Sequence, residues 1–266
     1  MQEMNLELPK QLKEYENTIK KSIKPFIRVT SKKTKTTLWE SKIGGYPYFP
    51  RSNENYPKDK NGKPMRILAQ INFSELPHIG LFPSEGILQF YISAEDDVYG
   101  MNFDDGRCQD NFRVIYHKEI IQNKDELVED FSFLDNLDDK YFPVSEEGRM
   151  IFSKDSEPVS IEDYQFENYI GTSAYSFFDE FDQEAEDFYY ENFLGDGHKI
   201  GGYAYFTQCD PRESELSDYE ILLLQLDSDD NLNMMWGDCG VANFFIKRED
   251  LLNLNFNNVL YNWDCS

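Results

Sequence analysis

No apolar run in this 266-residue sequence approaches the roughly 18 residues that a membrane-crossing helix requires. The opening MQEMNLELPKQLKEYE has neither the basic start nor the apolar stretch of a secretory leader. Only four cysteines occur (Cys108, Cys209, Cys239 and Cys265), widely spaced and without a CxxC pair. Reduced thiols in a cytoplasmic protein are therefore expected. The three histidines, His78, His117 and His198, are scattered, so no zinc site is expected, nor any other metal or cofactor. Bases are scarce too: 26 Lys and Arg face 50 Asp and Glu, a net charge of -24. Phosphate repulsion disfavours ordinary nucleic-acid binding. Neither GxSxG, GxGxxG nor the Walker lysine motif is present, so the usual nucleophile-elbow and phosphate-loop chemistries lack their residues.

Aromatics, in contrast, are plentiful at 15%, beside an apolar fraction of 40%. Tyr and Phe bury large areas, so a sizeable core is expected despite the charge.

The most informative feature is self-similarity. SKIGGYPYFPR (41–51) and HKIGGYAYFTQ (198–208) share a register, with Gly45 over Gly202. Downstream, ILAQINFS meets LLLQLDSD, placing Gln70 over Gln225, and GILQFYI meets GVANFFI, placing Phe90 over Phe244. VIY (114–116) then meets VLY (259–261). The second Gly precedes the Gln by 25 residues in one copy and 23 in the other; the next matched Gly follows by 16 and 15. Ordered blocks with such small gaps indicate a tandem duplication, roughly 41–117 and 198–263.

Each block is a short run of Ile, Leu, Phe and Tyr bounded by turn residues, the pattern of buried strands. The Gly-Gly pairs suit a tight turn or bulge with positive φ. Helices are expected elsewhere. One follows Pro9 with Leu12, Tyr15, Ile19 and Ile23 inward, and one starts near Asn123 with Leu127, Phe131 and Leu134 inward. Ser160–Asp163 resembles a capping box. A single amphipathic helix is expected through FFDEFDQEAEDFYYENF, burying Phe177, Phe178, Phe181, Ala185, Phe188 and Tyr189.

Charge divides the chain. Residues 1–117 carry +2, 118–197 carry -18 and 198–266 carry -8. The expected fold class is α+β: duplicated β-rich units around a pseudo-twofold, with an acidic helical insertion between them. The expected parts are a helix and lead-in (1–40), a first unit (41–117), a mainly helical insertion (118–197) and a second unit (198–266). Together they would form one compact domain.

HKIGGYAYFTQCDPR (198–212), LLLQLDSDD (222–230) and MMWGDCGVANFFI (234–246), supported by KIGGYPYFP and LAQINFSELP, make the chain resemble the bacterial YwqG-like family. That resemblance implies a soluble, cytoplasmic bacterial protein and carries over no catalytic residue.

Candidate ligand residues come from polar differences between the copies. His198 replaces Ser41, Gln208 replaces Arg51, Asp227 replaces Asn72 and Asp238 replaces Ser84. With Gln70, Gln225 and Trp236 they could line a groove between the units and provide acid–base chemistry. The plainer reading makes His198 a strand-end residue and the aspartates turn caps. Asp227–Asp238 partly imitates a calcium loop, but Leu232 stands where a Gly is needed, so an acidic turn is expected. Cys209 and Cys239 are expected to be buried, inert thiols.

Two functions follow. The first is a non-catalytic binding protein that docks a basic partner protein through its acidic face, with Glu180, Glu184 and Asp187 as contact residues, an immunity-type protein being one concrete version. The alternative is a small-molecule sensor or enzyme using the groove.

Overall fold

The computed structural model describes residues 7–53, 55–135, 137, 140–181 and 183–266. Helix α1 (Glu16–Ser22) leads into β1 (Lys24–Lys33). Then come β2 (Lys42–Ile43), β3 (Arg66–Asn72), β4 (Ile87–Ile92), β5 (Phe112–His117) and β6 (Gly148–Glu157). Helices α2 (Gln165–Ile170), α3 (Ala174–Phe178) and α4 (Gln183–Phe193) precede β7 (Lys199–Gly201) and β8 (Ile221–Asp227). The chain ends with β9 (Val241–Ile246), α5 (Arg248–Leu252) and β10 (Val259–Asp264).

All ten strands join one antiparallel sheet, ordered β10-β9-β8-β7-β1-β6-β2-β3-β4-β5. Read from either edge, four strands run inward to the central pair β1–β6. Registers match on the two sides: Lys42 lies opposite Gln70 and Lys199 opposite Gln225. The ladder slips between Ile67 and Ala69, and again between Leu222 and Leu224. Strands β4 and β9 are buried at every position. That is why their sequences are mostly apolar rather than alternating, each with one buried amide, Gln89 or Asn243.

The sheet curls until its edges approach each other, close to a barrel. The Tyr261 N–H donates to Gly106 O at 2.9 Å, and the rings of Phe112 and Tyr261 are 5.2 Å apart. The interior is one core: Leu68, Leu88 and Phe90 from one side mix with Leu223, Phe244 and Tyr261 from the other. Each such buried side chain stabilises the fold by about 1.5–3 kcal/mol relative to exposure.

Three expectations are corrected. The segment 118–197 is not mainly helical: it supplies the ten-residue β6, which pairs along its length with β1 from the supposed lead-in. The partner of β6 lies more than a hundred residues away, so no local signal reveals the pairing. The helix expected near Asn123 is replaced by two single 3-10 turns, Lys124–Glu126 and Ser132–Leu134, although Leu127, Phe131 and Leu134 are buried as expected. The long amphipathic helix is broken into α3 and α4. Phe177, Phe178, Ala185 and Tyr189 are buried, while Phe181 and Phe188 are half-buried. Changing direction between two short helices lets both wrap the same cluster, which a straight helix could not do.

That cluster is a separate small core. Leu12 and Ile19 join Phe166, Phe177, Phe178, Tyr189 and Tyr203. The N-terminal helical segment thus packs on the acidic helices, with Tyr15 edge-on to Phe177 at 4.8 Å.

Candidate functional site

The two Ile-Gly-Gly-Tyr turns are shaped by backbone strain that glycine relieves. Gly45 and Gly202 both have φ of +75°. A Cβ at Gly45 would lie 2.6 Å from Glu147 Cδ, and one at Gly202 would lie 2.2 Å from Glu157 Oε1. Each carboxylate belongs to the sheet centre. Glu157 accepts the Tyr203 N–H at 2.8 Å and both oxygens accept from Lys199 Nζ. Glu147 instead accepts from the Thr36 N–H and hydroxyl. The Lys42 ammonium donates to Thr37 O at 2.5 Å and Tyr46 O at 2.9 Å, and its burial pulls its pKa down to about 8.

Gln70 and Gln225 are fully buried and fully used. Their Oε1 atoms accept the N–H of Tyr48 and of Tyr205, both at 2.8 Å. The Gln70 amide donates to Leu38 O and Glu40 O; that of Gln225 donates to Gly195 O and Gly197 O. These bonds pin the chain entering β2 and β7. With both amide hydrogens donated and the side chains wholly buried, neither is open to a ligand.

His198 is brought beside Asp227, but in a closed arrangement. Its Nδ1 accepts the Asp227 N–H at 2.9 Å, so Nε2 carries the proton and donates to Asp229 Oδ2 at 3.2 Å. Ser31 Oγ donates to the same Asp229 oxygen. Ser, Asp and His therefore meet with the carboxylate in the middle, and the imidazole has no free nitrogen to take a proton from Ser31. That geometry does not activate a nucleophile. The imidazole and its companions hold Asp229 well below the usual carboxylate range, while burial raises Asp227. Asp227 caps Gly197 and Ser228 N–H groups at 2.8 Å.

The other candidates lie elsewhere. Trp236 is in the apolar core, edge-on to Tyr99 at 5.4 Å. Gln208 is exposed and donates to Cys265 O, and Asp238 is exposed with its backbone carbonyl accepting from Ser266. Arg51 is exposed and donates to Asp125 O. Among the expected set, the fold gathers His198, Asp227 and Gln225 around one chain entry and scatters the rest. The space between the halves is filled by rings such as Phe90 and Phe244, 4.8 Å apart. Cys209 and Cys239 are corrected from buried to exposed, because Cys209 falls in the irregular chain between β7 and β8 and Cys239 in the turn before β9. Among the described residues no group of three or more His, Cys, Asp and Glu is placed to hold a metal ion.

One buried ionic cluster escaped the sequence reading. Arg212 is buried with Asp163 and Asp210, its guanidinium 2.8 and 2.6 Å from their oxygens. Its ring neighbour is Phe245, at 4.0 Å. Desolvation opposes the cation, but the two carboxylates outweigh it and raise its pKa. Asp163 also accepts the Ala204 N–H and Asp210 the Tyr164 N–H, so the cluster fastens the lead into α2 onto the sheet. Asp210-Pro-Arg212 has the composition of an ordinary turn; only the burial sets it apart.

Acidic residues just after α3 and on α4 face outward. Glu180, Glu184 and Asp187 are exposed. Tyr175 of α3 is 83% exposed and Tyr190 of α4 is exposed as well. Gln11 donates to Glu184 at 3.5 Å, so the N-terminal segment borders this face.

The chain belongs to a family of domains of unknown function, DUF1963, whose model matches residues 41–265, from just before β2 to the end of β10. No curated protein matches it. No helix among the described residues is long and apolar enough to cross a membrane.

Proposed function

We propose that this protein is a non-catalytic binding protein that docks a basic protein partner through the outer face of α3 and α4. The observation that carries this reading is the combination there of exposed carboxylates with exposed tyrosines. Carboxylates steer a cationic partner, and Tyr is a residue type that anchors interfaces. The closed bonding of His198 supports a structural role for the one imidazole beside two aspartates. An immunity-type role, masking a basic toxin, fits this chemistry. Within its family the chain is placed with the YwqG-like proteins, and its halves are read as copies of one ancestral unit whose matched strands carry equivalent Gly, Lys and Gln positions. Unpaired cysteines accord with a cytoplasmic location.

The test is association with a basic partner at two ionic strengths. Steering between exposed charges fades as the Debye length falls from about 10 Å at 0.1 M salt to about 3 Å at 1 M. A Glu180→Lys, Glu184→Lys, Asp187→Lys variant should associate much more slowly while melting near the wild-type temperature. Equal recovery of the same partners by both proteins would overturn the reading.

A further inference from the structure

Two cysteines distant in the sequence meet where the last two strands of the sheet end. Strands β9 and β10 pair as far as Val241 and Asp264, so Gly240 and Cys265 come next across the ladder. The Ser266 N–H then donates to Asp238 O at 3.3 Å. That bond joins the peptide unit between Asp238 and Cys239 to the one between Cys265 and Ser266. A disulfide spans Cα atoms about 4.4–6.8 Å apart, the range of neighbours on adjoining chains.

The turn before β9 leaves room for the second thiol. A Cβ on Gly237 would lie 2.6 Å from Cys265 Sγ, and one on Gly240 would lie 2.8 Å from Cys265 Cβ. The Cys265 sulfur therefore rests against turn 237–239, which the Gly240 N–H closes by donating to Trp236 O at 2.8 Å. Cys239 has φ of +55°, a left-handed conformation that a residue with a Cβ adopts rarely. Outliers of this kind cluster at functional sites. Cys239 is exposed and Cys265 is half-buried, so one thiol meets solvent and the other waits behind it. On the other side of the sheet, the matching places beside Gly86 hold Glu85 and Lys118, and the thiol pair belongs to this end alone.

We propose that Cys239 and Cys265 form a peroxide-oxidisable thiol pair that closes to a reversible disulfide. The exposed Cys239 thiolate attacks one oxygen of hydrogen peroxide and the O–O bond breaks. The sulfur becomes a sulfenic acid, and the departing hydroxide takes up a proton to leave as water. Cys265 then attacks the Cys239 sulfur, the S–O bond breaks, and a second water leaves as the S–S bond forms. Two thiols have lost two electrons and two protons, and one peroxide has become two waters. A small dithiol reverses the step by exchange. Such a bond in a compartment that keeps thiols reduced is transient and redox-sensing. Once closed, it ties the end of β10 to the turn before β9 and restricts the unfolded chain.

The experiment treats the reduced full-length protein with stoichiometric hydrogen peroxide, alkylates the remaining thiols and maps tryptic peptides by mass spectrometry. Cleavage at Arg212, Lys247 and Arg248 separates Cys209, Cys239 and Cys265 onto different peptides. An intramolecular link between the Cys239 and Cys265 peptides is expected, with a raised urea midpoint that dithiothreitol returns to its starting value. Cys265→Ser should lose the link and leave a sulfenic acid at Cys239 that dimedone labels. Cys209 is the competing thiol, because Gln208 beside it donates to Cys265 O at 2.7 Å. Cys209→Ser should keep the Cys239–Cys265 link. Circular dichroism verifies that each variant is folded, and the wild-type map needs no variant. No link between the two peptides, a link from Cys209 in its place, or a link found only between chains overturns the proposal.

Discussion

The rings of Phe90 and Phe244 lie 4.8 Å apart at 55°, each from the matching strand of opposite halves of the sheet. Phe112 of β5 also meets Phe244 at 6.3 Å and Tyr261 at 5.2 Å across the same divide, so neither half closes its own core. Phe90→Ala or Phe244→Ala should cost about 3–5 kcal/mol in urea unfolding. The double variant should show a coupling of about 0.5–1.5 kcal/mol, beyond which lies only area burial. Strictly additive losses would mean that the two rings do not stabilise each other.

Gln225→Leu should destabilise by more than its loss of bulk suggests. Gly195 O, Gly197 O and the Tyr205 N–H would each lose a buried partner, at about 1–3 kcal/mol for each group that water cannot reach. Amide hydrogen exchange reads this locally: Tyr205 should exchange faster than residues of β10. Unchanged protection at Tyr205 would contradict the pinning role.

Arg212→Met leaves Asp163 and Asp210 buried without their cation. A loss of about 3–5 kcal/mol is expected, partly recovered when both aspartates are replaced by asparagine in the same chain. Without recovery in the triple variant, packing against Phe245 rather than charge would be the dominant contribution.

His117 provides a pH dependence with a definite sign. Burial lowers its pKa from 6.5 to about 4, and the ring bonds Gln89 Oε1 at 2.9 Å. The neutral form is favoured in the folded state, so its contribution is complete above pH 6.5 and is lost as pH falls toward 4. Wild-type stability should drop by about 3 kcal/mol across that window from this group. His117→Gln should flatten the profile there, measured by denaturant midpoints at each pH. An identical slope in the variant would assign the dependence to other groups.

Within the small helical core, burial ranks the rings. Phe177 is buried and Phe181 half-buried, so Phe177→Ala should lower the melting temperature more than Phe181→Ala does. The fully buried ring costs about 3–5 kcal/mol to truncate, and the half-buried one correspondingly less. The reverse order would mean that α3 docks through a different face.

Local patterns in the sequence determined much of this architecture. ILAQIN, ILQFYI and VANFFI are strands because their mostly apolar runs, each broken by a buried amide, need both faces covered, and the Gly-Gly pairs turn because only glycine tolerates φ of +75° beside Glu147 and Glu157. The outward-facing acids of α4 were likewise legible from helical spacing. Tertiary structure alone decided what depends on distant partners. β1 and β6 pair across more than a hundred residues, so neither the sheet centre nor the role of 118–197 has a local signature. His198 looked chemically available until the fold engaged both of its nitrogens, and Arg212 looked like a turn residue until burial set it between two carboxylates. Tyr46 and Tyr203 share one sequence motif, yet only the path of the N-terminal segment makes one a core residue and leaves the other at a cleft. Side-chain identity fixes what a group can bond to, and the long-range packing of the chain determines which partner reaches it.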